Sequence, residues 1–222
     1  MKLFIFKNYT LIKTLFIATG FSLILLMLRI KLTHEAYLLF LIWNLFLAFL
    51  PLLFSWMISL KRKKYQNLIL GFLWLLFLPN APYILTDFIH LQYSPEGFMV
   101  FDALTIAIFA LTGLIMGMVS VQKIIRFITP FVNSSWIGFF VLTVNFLCAL
   151  GIYLGRILRY NSWDVLTKPD MLISDMISLF INPLQNYHIW IFVIIMSLIL
   201  HIFYNICCIF AKNKLLCYAK KK

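Results

Sequence analysis

Acid is what this chain has least of. Only 7 Asp and Glu stand against 19 Lys and Arg, and charged residues of both signs make up 12% of the 222 residues. Hydrophobic residues make up 64%, aromatics 18%, and the mean hydropathy is +0.98. A soluble domain of this size cannot cover that much apolar surface. The apolar runs are continuous, which excludes a transmembrane β-barrel, whose strands read as alternating segments of about ten residues. Cysteine is sparse too. Cys148, Cys207, Cys208 and Cys217 show neither metal-ligand spacing nor a disulfide framework. Phosphate-cradling and dinucleotide-binding glycine loops, His-Glu-x-x-His and Gly-x-Ser-x-Gly are all missing, and Ser162 has no nucleophile elbow around it. No cofactor and no metal site is read from the residues. The net charge of +12 would point to nucleic acid in a soluble protein. Here the basic residues follow membrane topology, so the expected partner is the lipid bilayer and not nucleic acid.

What is present is an all-α integral membrane protein with six expected transmembrane helices in one polytopic domain over residues 1–222. Lys2, Lys7 and Lys13 precede an apolar run from Leu15 to Leu28, which is read as an uncleaved first helix over about Leu11–Leu28. The second span is Ala36–Leu60, with Pro51 free to bend it, and Lys61-Arg62-Lys63-Lys64 closes it. The third begins near Tyr65, the fourth covers about Ala103–Gln122, and the fifth starts near Ser134 or Ser135 and ends between Gly155 and Arg159. The last is about His188–Ala211. Before it, Asp170–Ile181 reads as a short interfacial or re-entrant helix, with Leu172, Ile173, Met176, Leu179 and Phe180 on one face and Asp175 off it. The N-tail, the Lys61–Lys64 loop, Lys123 with Arg126 and the C-tail hold 14 of the 19 basic residues, and all 7 acids fall in the other segments. The positive-inside rule then puts both termini in the cytoplasm.

The third span carries the strongest local signal. Leu78-Pro79-Asn80-Ala81-Pro82-Tyr83 should break it, since each proline removes a backbone donor and clashes with the preceding turn. At membrane depth the freed groups must find protein or water partners. Asp87 and His90 follow, three apart and on one helical face, a pairing suited to acid/base chemistry. An interfacial Asp and His that merely end a helix would look the same. Arg156 and Arg159 are also three apart, in Gly155–Asp164. Their guanidiniums can clamp a phosphate, pair internally with Asp87 or Asp164, or snorkel to lipid phosphates. Asn44, Asn145, His201 and Asn205 lie within spans and read as hydrogen-bonding glue between helices. Gly113/Gly117 and Gly151/Gly155 are small-xxx-small motifs, read as close packing of the fourth and fifth spans within the monomer, with a dimer contact as the alternative.

Together, Leu78–Tyr83, Thr86-Asp87, His90 and Arg159-Tyr160-Asn161-Ser162-Trp163-Asp164 resemble the signature of a bacterial multi-pass membrane family catalogued as domain of unknown function 1361. The resemblance implies a bacterial plasma membrane location and one shared site, without a reaction, substrate or cofactor. The resulting expectation is an extracytoplasmic site for an amphiphilic phosphate-bearing ligand, such as a lipid-linked envelope intermediate. Arg156 and Arg159 would hold phosphate, Asp87 and His90 would transfer protons, and Asn80, Asn161 and Asp164 would orient groups or complete the cavity. The alternatives are a transporter or flippase, drawing on the interrupted third span, and a non-catalytic partner in an envelope assembly.

Overall fold

In lipid, an apolar segment must satisfy its backbone groups within itself, so uninterrupted apolar runs become helices. The computed structural model describes residues 9–210. Among the described residues there is no strand, and the helices follow in the order α1 (Tyr9–Thr33), α2 (Phe40–Met57), α3 (Lys64–Phe77), α4 (Asn80–Tyr83), α5 (Met99–Ile128), α6 (Ser134–Arg156), α7 (Asp164–Thr167), α8 (Pro169–Ile181) and α9 (Tyr187–Phe210). Turns of 3-10 helix cover Tyr37–Leu39 and Ile84–Tyr93. Six helical segments are long and apolar enough to cross a membrane: Tyr9–Thr33, Tyr37–Met57, Lys64–Tyr93, Met99–Ile128, Trp136–Arg156 and Tyr187–Ile209. The six expected spans hold; the first and fourth run several residues longer than expected, and the second ends earlier, at Met57. Lys2, Lys7, Cys217 and the basic C-tail lie outside the described residues.

α5 is the central helix. It is 67% buried along its apolar window, against 17% for the first and last spans. Ile106, Phe109 and Ala110 are buried in one core cluster with Leu41, Ala48 and Leu52 of α2. Pro51 lies inside α2, which runs on to Met57.

The segment after Phe77 does not leave the helical region of backbone space. Leu78 has φ −57° and ψ −38°, and Pro79 has φ −57° and ψ −25°. The prolines change the hydrogen-bond pattern instead. Two carbonyls at the end of α3 take side-chain donors, Asn80 Nδ2 onto Phe77 O at 2.9 Å and Ser162 Oγ onto Leu76 O at 3.4 Å. From Ile84 the segment continues as 3-10 helix, in which residues three apart eclipse.

The glycine motifs do pack closely within the monomer, against the third span. A Cβ on Gly117 would come within 2.6 Å of Ala81 Cβ, and one on Gly113 within 2.9 Å of Ala81 O. A Cβ on Gly151 would come within 2.5 Å of Pro79 Cγ, and one on Gly155 within 3.1 Å of Tyr83. The fourth and fifth spans therefore turn their glycines onto the Pro79–Ile84 segment, which is wedged between them, and not onto each other. The sequence motif marks close approach but does not say to which partner.

The short helix α8 has Leu179 buried, with Met176 packed near it. Asp175 faces the same way, contrary to expectation, and its Oδ2 accepts from Tyr160 Oη at 2.8 Å. Ile173 and Phe180 are exposed instead.

Crowding at the wedge yields a direct test. Gly151→Ala and Gly117→Ala are expected to destabilise the protein by about 1–3 kcal/mol, the usual range for overpacking. Gly138→Ala, with nothing within 4 Å, should be neutral or mildly stabilising. Thermal unfolding of the three variants in detergent checks this, and equal melting temperatures would refute the wedge.

Candidate functional site

Arg156 ends α6, where a cation complements the helix dipole. Its guanidinium collects the polar groups of the 3-10 helix. Nε donates to Thr86 Oγ1 at 2.8 Å, Nη2 donates to Asp87 Oδ1, and Nη1 lies 3.3 Å from His90 Nε2. The plane stacks on Tyr83, with Cζ 4.4 Å from the ring centroid. Asp87 is 1% exposed, and its second oxygen accepts from Asn44 Nδ2 at 2.8 Å. Both carboxylate oxygens thus meet N–H donors, which fits the ionised form. A guanidinium only donates, so His90 Nε2 is the acceptor and the imidazole is neutral, with its proton on Nδ1. The rest of His90 is boxed in: Tyr37 Oη donates to its carbonyl at 2.6 Å, and Phe40 lies 4.7 Å away, ring to ring.

The two arginines do not share a helical face. The α-helix stops at Arg156, and Tyr160 N–H closes the end onto Leu154 O at 3.0 Å. Arg159 sits in that closing turn with φ 60°, a left-handed conformation that costs an L residue roughly 1–2 kcal/mol. Its side chain is exposed and makes no hydrogen bond or ion pair among the described residues. Asn80 Nδ2 also donates to Ser162 Oγ at 3.0 Å, tying the third span to the loop after α6. Asp164 pins that loop: Oδ2 accepts from Asn161 N–H at 2.7 Å and Oδ1 from Thr167 Oγ1 at 2.8 Å. These donors, the Asn161 N–H first, hold its carboxyl below the usual range. The Tyr160 phenol is raised, chiefly by its bond to Asp175.

Between the second, third and fifth spans lies a pocket of about 800 Å³. Its polar end carries Asn80, His90, Arg156, Arg159, Asn161 and Ser162. Its apolar end runs down to Trp43, Leu47, Phe72, Leu75, Leu147 and Leu150. Asp87 and Asp164 stand behind this wall, and no lining residue is acidic. From Arg156 to Leu147 is nine residues of helix, or roughly 14 Å at 1.5 Å per residue. That is about half of a hydrocarbon core of ~30 Å.

Sequence reasoning missed a second buried pair. Arg29 Nε donates to Asp102 Oδ1 at 3.1 Å, and both side chains are fully buried. Ser94 Oγ donates to Asp102 Oδ2 at 2.9 Å, and Arg29 lies 5.6 Å from the Tyr37 ring centroid. Tyr37 therefore joins the two ion pairs. The available signal was an arginine and an aspartate at the ends of apolar runs, which name no partner for each other. Of the other polar residues within spans, Asn145 Nδ2 lies 3.5 Å from His201 Nδ1, whereas Asn205 is exposed.

These features define an all-helical integral membrane protein with a half-depth, cation-lined pocket anchored by a buried ion pair. Residues 43–203 match the model of a family described as a protein of unknown function (DUF1361), and the chain belongs to that family. The match contains Asn44, Asp87, His90 and Arg156 but begins after Arg29 and Tyr37. No curated protein and no solved structure matches the chain.

Removing one member of a buried pair strands the other charge, at about 3–5 kcal/mol. Arg156 keeps 19% of its side chain exposed, so Arg156→Ala should fall near the lower end, about 3 kcal/mol. Arg156→Ala with Asp87→Ala should recover part of that loss, measured by thermal unfolding in detergent. Additive losses would refute the pairing.

Asp164 gives a pH prediction. A depressed carboxyl stabilises above its unfolded pKa of about 4, and this contribution is lost as pH falls through the folded value. The stability advantage of wild type over Asp164→Asn should therefore be constant at neutral pH and shrink below about pH 4. An advantage that grows on acidification would contradict it.

Proposed function

We propose that the pocket binds an amphiphilic, phosphate-bearing lipid from one leaflet, its anionic group at Arg159 and its chain along Leu47, Leu75, Leu147 and Leu150. The observation that carries this reading is Arg159, a cation without an acidic partner at the mouth of an apolar pocket with no acid in its wall. Arg156 is committed to Asp87 but retains unused N–H groups, so it can add a hydrogen bond to the same phosphate. Asn80 and Asn161 orient the head group, and Asp164 holds the Asn161 loop. His90, on the wall, and Asp87, behind Arg156 and Asn44, are the acid/base candidates. Proton uptake at His90 Nε2 or at Asp87 Oδ1 needs the Arg156 contact to loosen first.

The charge distribution supports a cytoplasmic side at the Lys61–Lys64 end and an extracytoplasmic side at the pocket. Membership of the family supports a bacterial plasma membrane. In that setting the ligand class is a lipid-linked envelope intermediate. The half-depth floor at Leu147 favours binding from one leaflet over passage through the protein. An envelope-protein partner would have to leave the pocket mouth accessible.

Dodecyl phosphate, dodecyl maltoside and inorganic phosphate are the probes. Purified protein should bind dodecyl phosphate and not the neutral maltoside, with inorganic phosphate a poor competitor. A hydrogen-bonded charge is worth about 1.5–3 kcal/mol, so Arg159→Ala should weaken dodecyl phosphate at least tenfold while Arg159→Lys retains most of it. Binding that is indifferent to Arg159 would sink the reading.

A further inference from the structure

The charges around the pocket point to the kind of head group it takes. Resting on the phosphate-lipid reading above, we propose that the ligand is a lipid phosphodiester with an uncharged, hydroxyl-rich head.

Arg156 is neutralised by Asp87, and His90 is neutral because its Nε2 accepts from Arg156. Arg159 is therefore the one uncompensated charge on the wall, among the described residues. A phosphodiester carries a single negative charge and matches it. A phosphomonoester approaches two at neutral pH, and a diphosphate more. Either would leave surplus negative charge next to an apolar wall, where unpaired charge is disfavoured. An ammonium head fares no better, because no lining residue is Asp or Glu.

Besides the arginines and His90, the lining carries uncharged polar side chains. The Gln92 amide and the Tyr93 hydroxyl line the pocket and make no hydrogen bond among the described residues. Asn161 has its Nδ2 only 3.4 Å from Asp164 Oδ2, a long contact, and no donor reaches its Oδ1. Amides and a phenol offer both donors and acceptors, the pattern that hydroxyl groups satisfy. Tyr93 is 64% exposed, leaving a ring face against which a glycerol or sugar can lie.

Four dioleoyl lipids with identical chains test this: phosphatidylglycerol, phosphatidic acid, diacylglycerol pyrophosphate and phosphatidylethanolamine. Each is added to the full-length protein in detergent, and occupancy is read by native mass spectrometry. Phosphatidylglycerol should exceed each of the others by about tenfold. A Gln92→Ala, Asn161→Ala double variant should erase most of that preference while still binding all the anionic lipids. Arg159→Ala should weaken every anionic lipid. Equal or tighter binding of phosphatidic acid or the pyrophosphate would overturn the charge match and leave the phosphate reading standing. Equal binding of phosphatidylethanolamine would overturn the head-group argument. Anionic lipid binding that ignores Arg159→Ala would overturn this inference together with the reading beneath it.

Discussion

A carboxylate buried within a membrane-spanning segment exists only if a cation meets it. Asp87 is buried, so Arg156 must arrive from 69 residues further along the chain. Most other features at this end of the bundle serve that meeting. Ile84–Tyr93 winds as 3-10 helix and so stacks Asp87 and His90 on one side. Tyr83 supplies a ring face for the guanidinium, Thr86 caps Nε, and Asn44 fills the second carboxylate oxygen. With donors and acceptors this fully matched, the pair is tolerable in a low-dielectric setting, where a half-matched one would not be.

The pair in turn needs close packing. Pro79, Ala81 and Tyr83 sit between the glycine faces of α5 and α6 with no room for a methyl group at Gly117 or Gly151. The prolines keep the helical backbone angles but remove two donors, and Asn80 and Ser162 supply donors to carbonyls at the end of α3. The same Asn80–Ser162 bond fixes the loop carrying Arg159 and Asn161. One proline-marked turn therefore sets both the ion pair and the pocket rim.

Much of this was legible from residues alone. Continuous apolar runs and clustered lysines identified six spans, and the proline stretch and the Arg156–Asp164 stretch do meet, with a pocket between them. What was hidden has physical reasons. Helical spacing put Arg156 and Arg159 on one face only if the helix continued, and the left-handed turn at Arg159 decides otherwise. A small-xxx-small motif specifies a close approach without naming the partner. Arg29 and Asp102 are 73 residues apart, and long-range pairing leaves no periodic trace. Helical spacing set Asp175 off the apolar face of its helix, whereas its bond to Tyr160 turns it inward.

The two arginines of the fifth span and its loop illustrate a division of labour that the shared residue type conceals. Arg156 is stacked, hydrogen-bonded and charge-compensated, so its main work is to hold the 3-10 helix against α6. Arg159 is exposed and strained, and its charge is unanswered. Backbone strain persists only where the surroundings enforce it. Here the enforcing elements are the Tyr160–Leu154 closure and the Asp164-pinned loop, and both keep a free guanidinium at the pocket mouth. A fold that needed only packing at this point could relax by placing glycine at 159. The arginine instead keeps its left-handed backbone and its exposed side chain beside the pocket.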